Sequence, residues 1–158
     1  MKLARTLRFD ESDLNIFDQP ADTDEWAISG GFAFSDWTED MITGKARQAF
    51  ANGWLGLETF GRSTFVAVAQ IEPFEFNVLV ERLADHFVTY FGAPDMDAAR
   101  PVARDELTFM AELCEDHDPN TLLAVEREWG EAGVKERFRA IKTQDAELEA
   151  FAVHGSFE

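Results

Sequence analysis

Residues 121–142 constrain the fold more tightly than any other stretch of the chain. Val134, Phe138 and Ile141 fit helical spacing, but Gly130 and Gly133 would then fall inside the helix, each costing roughly 1 kcal/mol relative to alanine. Looping out Gly130-Glu131-Ala132-Gly133 instead pairs Trp129 with Val134, Glu128 with Lys135, Arg127 with Glu136, Glu126 with Arg137 and Val125 with Phe138. Three successive opposite-charge pairs then share one antiparallel register, each contributing about 0.2 to 1 kcal/mol. The reading is a β-hairpin, and hence a fold that contains a sheet.

Other segments carry strand patterning. Leu3, Arg5, Leu7 and Phe9 alternate imperfectly, and a second run over Glu25–Phe34 carries Trp26, Ile28, Phe32 and Phe34, the period expected of strands. Gly30-Gly31 interrupts the second run, which predicts a bulge or a close backbone approach. Between them, Asp10–Asp24 reads as an acidic loop around a short strand at Leu14–Phe17. The β-rich runs Trp54–Phe60 and Ser63–Ile71 flank Gly61-Arg62; with those two residues as a hairpin turn, Leu57 faces Val66 and Leu55 faces Val68. Phe151 and Val153 alternate with small residues in Glu149–Phe157, a candidate last strand.

Helices are signalled by caps and stripes. Thr38 reads as an N-cap, with Trp37 stapled on Ile42 and an αL stop at Gly53 after Ala46, Ala49 and Phe50. Pro73 suits the first position of a helix whose apolar stripe is Leu79, Val80, Leu83, Ala84, Phe87 and Phe91, ended by Gly92 and Pro94. A further helix over Pro101–Asp116 places Ala103, Leu107, Met110 and Cys114 on one face. The expected fold class is α+β: a mostly antiparallel sheet covered by two or three helices, in a single domain over residues 1–158.

The chain carries 14 Lys and Arg against 31 Asp and Glu, a formal net charge of -17, and the acids are spread over both halves. Such a surface repels phosphate backbones and acidic membranes, so no nucleic-acid or membrane partner is expected. With 15 Phe and 4 Trp among 158 residues, the chain has ample apolar surface for a core. The first ten residues lack an apolar leader segment, and Cys114 is the only cysteine; both fit a cytoplasmic protein.

Candidate chemistry is sparse. Glu112-Leu113-Cys114-Glu115-Asp116-His117-Asp118 gathers potential metal ligands, but a Cys-x-x-His half-site has no second half when His86 and His154 are the only other histidines. The cluster reads as a solvated helix C-terminus, with His117 at the negative end of the dipole. A nucleophilic Cys114 served by His86 or His154 is countered by its place on an apolar face, where burial raises a thiol pKa. Asp36 and Glu58, near Trp37 and Trp54, form a conceivable carboxylate pair in a chain where acids are abundant. Gly44-Lys45 is followed by Ala46 rather than a hydroxyl residue, and the common phosphate-loop, nucleophile-elbow and zinc-helix signatures are absent. No catalytic, cofactor-binding or metal-binding residue is assigned, and no cofactor is expected.

The runs Ile28-Ser29-Gly30-Gly31-Phe32-Ala33-Phe34, Gly44 to Glu58 and Gly61-Arg62-Ser63-Thr64 resemble a family of small bacterial proteins of unknown function. That resemblance implies a bacterial cytoplasmic protein and no particular activity. On charge and missing signatures, the expected role is a non-enzymatic accessory protein that meets a protein partner, a basic one, through its acidic surface. The alternative is an enzyme or small-molecule binding domain whose site is assembled from residues distant in sequence; a third reading is nucleic-acid mimicry by carboxylates. A closed apolar pocket with converging polar groups favours the alternative, and a shallow surface with an exposed hydrophobic patch favours the interaction protein.

Overall fold

Apolar alternation and cross-strand charge pairing build one sheet. The computed structural model describes residues 1–8 and 12–141. Its strands are β1 (Lys2–Leu7), β2 (Trp26–Ile28), β3 (Trp54–Gly56), β4 (Arg62–Ser63), β5 (Phe65–Gln70), β6 (Leu122–Gly130) and β7 (Gly133–Ile141). They form a seven-stranded antiparallel sheet in the order β4-β3-β2-β1-β5-β6-β7. The helices are α1 (Ser12–Ile16), α2 (Gly44–Asn52), α3 (Pro73–Tyr90) and α4 (Met96–Glu115). The fold is α+β, as expected.

The charge-paired hairpin forms in the expected register, with Glu128 opposite Lys135, Arg127 opposite Glu136 and Glu126 opposite Arg137. Pairing continues through Gly130 and Gly133, so only Glu131 and Ala132 are looped out. The exposed ion pairs slip to diagonal partners, Arg137 with Glu128 and Arg139 with Glu126, while Arg127 keeps Glu136 directly opposite. The sheet curls enough that Phe138, on edge strand β7, meets Trp54 on β3 with ring centroids 5.7 Å apart.

The two long helices cover the sheet. Leu79, Val80, Leu83, Ala84 and Phe87 of α3 are buried together with Ala103, Leu107, Met110 and Cys114 of α4 against Leu3, Ile28, Leu55, Val66 and Val68. Pro73 sits at the start of α3, as expected. Helix α4 begins earlier than expected because the Asp95 side chain caps Ala98 N–H at 2.8 Å; Pro101 falls inside the helix. Among the described residues no helix is long and apolar enough to cross a membrane.

Five local expectations are corrected. Leu14–Phe17 is not a strand: Ser12–Ile16 is helical. Strand β2 stops at Ile28, and Gly31–Phe34 forms a 3₁₀ turn. Gly30, at φ 74°, turns the chain there, and a side chain on it would meet Leu55 Cβ at 2.5 Å. A close approach is therefore present and a bulge is not. Thr38 precedes only a 3₁₀ turn, Glu39–Met41, and caps it with no side-chain bond; α2 starts later. Gly53 is extended rather than αL, at φ -86°, and its lack of a side chain matters because a Cβ would lie 2.8 Å from Ala49 O. The candidate strand at Glu149–Phe157 lies outside the described residues.

The fifth correction positions the site. Gly61-Arg62 is not a hairpin turn: Leu55 pairs with Arg62 and Trp54 with Ser63, while β5 pairs with β1 and β6. The reason is Glu25, which is fully buried. Its carboxylate accepts hydrogen bonds from the backbone N–H groups of Asp22, Glu58 and Thr59 and from the Thr59 hydroxyl. The grip pins the loop 57–61 and leaves Phe60 at φ 58°, a conformation rarely adopted by a bulky side chain. Hydrogen bonds to a charged group contribute about 1.5 to 3 kcal/mol each, so Glu25→Ala is expected to lower unfolding stability by about 3 kcal/mol or more. Urea denaturation at neutral pH measures this; a loss under about 1 kcal/mol would contradict the role given to Glu25.

Candidate functional site

Two buried arginines meet on the concave face of the sheet. Arg127 follows Leu123 and Val125 on the same face of β6 and is almost completely buried. Its Nε donates to Glu136 at 2.8 Å, its Nη1 to the carbonyls of Phe50 at 3.0 Å and Gly53 at 2.8 Å, and its Nη2 to Ser29. The guanidinium thus caps the C-terminal end of α2, where carbonyls lack helical partners. Ser29 closes the network by donating from its hydroxyl to Glu136. Burial lowers the Arg127 pKa, and the hydrogen bond it donates to Glu136 offsets this only in part.

Arg62 lies beside it with far less support. Its Nη1 donates to Gly53 O at 3.2 Å and its Nη2 to Gly30 O at 3.2 Å. Both guanidiniums face the Phe34 ring, at 4.7 Å for Arg62 and 5.2 Å for Arg127, an arrangement stabilised by the negative face of the ring. Among the described residues Arg62 makes no ion pair. Burial, and next the repulsion of Arg127, push its pKa down to about 9, against a smaller opposing pull from Glu136. It remains a cation at neutral pH.

Arg62 also forms part of the wall of a groove of about 1020 Å³ between α3 and the 3₁₀ turn, β3 and the loop 57–61. The volume suits a small organic ligand. His86 of α3 stacks in parallel on Phe60, centroids 3.8 Å apart, with Tyr90 and Phe91 at 5.1 and 5.4 Å. The strained backbone of Phe60 therefore holds one face of an aromatic wall. Burial lowers the His86 pKa, Asp85 opposes this and Arg62 reinforces it. The imidazole is accordingly neutral at pH 7, where it presents one donor and one acceptor. Gln19, Thr59 and Asp85 supply further polar groups at the wall.

A family model matches residues 1–158 from end to end. The chain belongs to DUF6505, a family of unknown function. No curated protein and no solved structure matches it.

The residues considered from sequence alone lie elsewhere, with one exception. Cys114 is buried in the core face of α4, and burial pushes its thiol up to about 12, so the thiolate needed for attack or metal binding does not form near neutral pH. The carbonyls of Glu115 and His117 at the end of that helix accept bonds from Lys2 Nζ. No group of three or more His, Cys, Asp and Glu that could hold a metal gathers among the described residues. Trp54 is fully buried, and Trp37 packs on Phe34; Glu58 stands at a second groove with Arg5 and Trp26, and Asp36 is exposed in the turn before Trp37. His154 lies outside the described residues. His86 is the exception: it belongs to the groove, with Arg62 rather than Cys114 as its neighbour.

The two arginines should respond differently to removal of charge. Arg127→Met leaves the buried carbonyls of Ser29, Phe50 and Gly53 without this donor and strips Glu136 of its ion pair, and is expected to cost about 3 kcal/mol or more. Arg62→Met loses two bonds to carbonyls but also relieves an uncompensated buried charge, so its stability is expected to change by only about 1 kcal/mol. Denaturant unfolding of both variants decides this. Equal losses would show that Arg62 is a second structural staple.

Proposed function

We propose that this protein is a binding domain for an organic anion, whose charged group seats on Arg62 and whose apolar body lies along the aromatic wall of the groove. The observation that carries this reading is a buried guanidinium that, among the described residues, has two carbonyl partners, three uncommitted N–H donors and no carboxylate, at the side of a groove. A planar fork of donors suits a carboxylate or phosphate held bidentately. The strained Phe60 supports the same reading, because unfavourable backbone conformations concentrate at ligand clamps. In a chain with a net charge of -17, an anion is the one ligand class that the general surface disfavours. A dedicated cation is then required to admit it.

A second reading, docking of a protein partner at the surface, is supported by the exposure of Phe74 at 78% and Tyr90 at 72% on α3, and by an acidic surface that would steer a basic partner. It places the functional surface on the same helix but gives Arg62 no task.

The test is titration with benzoate, phenyl phosphate and the uncharged benzyl alcohol, followed by calorimetry or amide shifts. The expected result is saturable binding of at least one anion, benzyl alcohol at least about tenfold weaker, and a loss of about tenfold or more in Arg62→Met, the scale of one charged hydrogen bond. The two anions distinguish a carboxylate reader from a phosphate reader. Equal binding of benzyl alcohol, or full retention in Arg62→Met, overturns the proposal.

A further inference from the structure

The groove does not end at Arg82. A second hollow of about 380 Å³ continues along α3 toward its N-terminus, and Val78 and Arg82 line both. Phe74, Val78, Arg82, His86 and Tyr90 recur every four residues and form a row that winds along α3, its middle members Val78 and Arg82 common to both hollows. At 1.5 Å per residue, that row is about 24 Å long, the reach of roughly seven residues of extended polypeptide. A compact metabolite would fill only the Arg62 end.

The charges of the second hollow differ in kind from those of the first. Arg5 lies flat on the Trp26 ring, its Cζ 3.7 Å from the centroid, and donates to Asp24 O at 2.9 Å. Stacking by the face leaves its remaining edge donors available. Glu58 and Glu75 line the same hollow, and neither they nor Arg5 and Arg82 take part in an ion pair among the described residues. Two cations and two anions, none of them in an ion pair among the described residues, surround the apolar Phe74 and Val78. A second anionic group would meet as much repulsion there as attraction. A polypeptide, with backbone donors and acceptors and side chains of either sign, matches such a mixture.

We infer that the occupant of the joined grooves is the C-terminal segment of a polypeptide, its terminal carboxylate on Arg62, its last apolar side chain against Phe60 and His86, and its upstream residues running past Val78 to Phe74. This rests on the anion-binding reading of Arg62 and adds the ligand class. Capture of a free C-terminus by buried donors is an established mode of peptide recognition. Within this site Glu58 and Glu75 are balanced by Arg5 and Arg82, and the long-range field of a chain with a net charge of -17 tips the upstream part of the segment toward a basic residue.

The experiment compares three probes at 150 mM salt: N-acetylphenylalanine, the pentapeptide acetyl-Lys-Leu-Lys-Leu-Phe with a free carboxylate, and the same pentapeptide as its C-terminal amide. Expected are a pentapeptide acid at least tenfold tighter than N-acetylphenylalanine, an amide at least tenfold weaker than the acid, and a several-fold loss of pentapeptide affinity in the Glu58→Gln, Glu75→Gln double variant. The amide carries one more net positive charge than the acid, so non-specific attraction to an acidic protein would favour the amide and give the opposite order. A pentapeptide acid no tighter than N-acetylphenylalanine overturns the peptide inference and leaves the anion groove standing. Acid and amide of equal affinity overturn the seating of the terminus on Arg62. Absence of binding by all three overturns the inference together with the reading on which it rests.

Discussion

The buried guanidinium of Arg127 holds together parts of the chain that neither sheet pairing nor helix packing would join. Its hydrogen bonds reach the end of β2 at Ser29, the end of α2 at Ala49 and Phe50, the start of β3 at Gly53 and the partner strand at Glu136. The carbonyls of Ser29, Phe50 and Gly53 that it satisfies lie at helix or strand ends, which leave such groups short of partners in the interior. The curl of the sheet and the position of α2 against β6 follow from that convergence. A charge in this place is tolerable because Glu136 lies opposite it in the hairpin register and supplies the counter-charge.

Arg62 inherits the geometry without the compensation. It shares Gly53 O and the Phe34 ring with Arg127, so the framework that anchors one cation necessarily crowds the other. An unpaired buried charge ordinarily lowers stability, and so does a phenylalanine held at positive φ. Both occur at the same groove, one on each side of Gly61. Their coincidence is understandable if the groove is kept in a binding-competent form at some cost to the fold, as binding sites commonly are.

Much of the framework was legible in the sequence because the relevant interactions repeat at short spacing. The β6–β7 register could be read from Glu126, Arg127 and Glu128 against their partners, and the buried faces of α3 and α4 from a period near 3.6. The site was not legible for a physical reason. The loop that shapes it is set by Glu25, more than thirty positions from Glu58 and Thr59, and no local pattern reveals a carboxylate that will bury itself among backbone N–H groups. Without that information Gly61-Arg62 resembles a turn, although Arg62 is a strand residue whose side chain points inward. One signal was available: an arginine between Gly61 and Ser63, in an otherwise apolar β-rich stretch, is an unusual candidate for burial. His86 was noticed as a titratable group, but its partners were sought around Cys114, which the core sequesters. Membership of DUF6505 over residues 1–158 agrees with the resemblance carried by the Ile28–Phe34 and Gly44–Glu58 runs.

The central claim is that one of two adjacent buried arginines serves the fold and the other serves a ligand. The most direct measurement is the NMR resonance of each guanidinium Nε–H group during titration with benzoate. The account predicts that the Arg62 signal moves and becomes protected from exchange as the ligand saturates, while the Arg127 signal, already bonded to Glu136, stays in place. An Arg62 signal unchanged at saturation, or equal changes at both arginines, would contradict it.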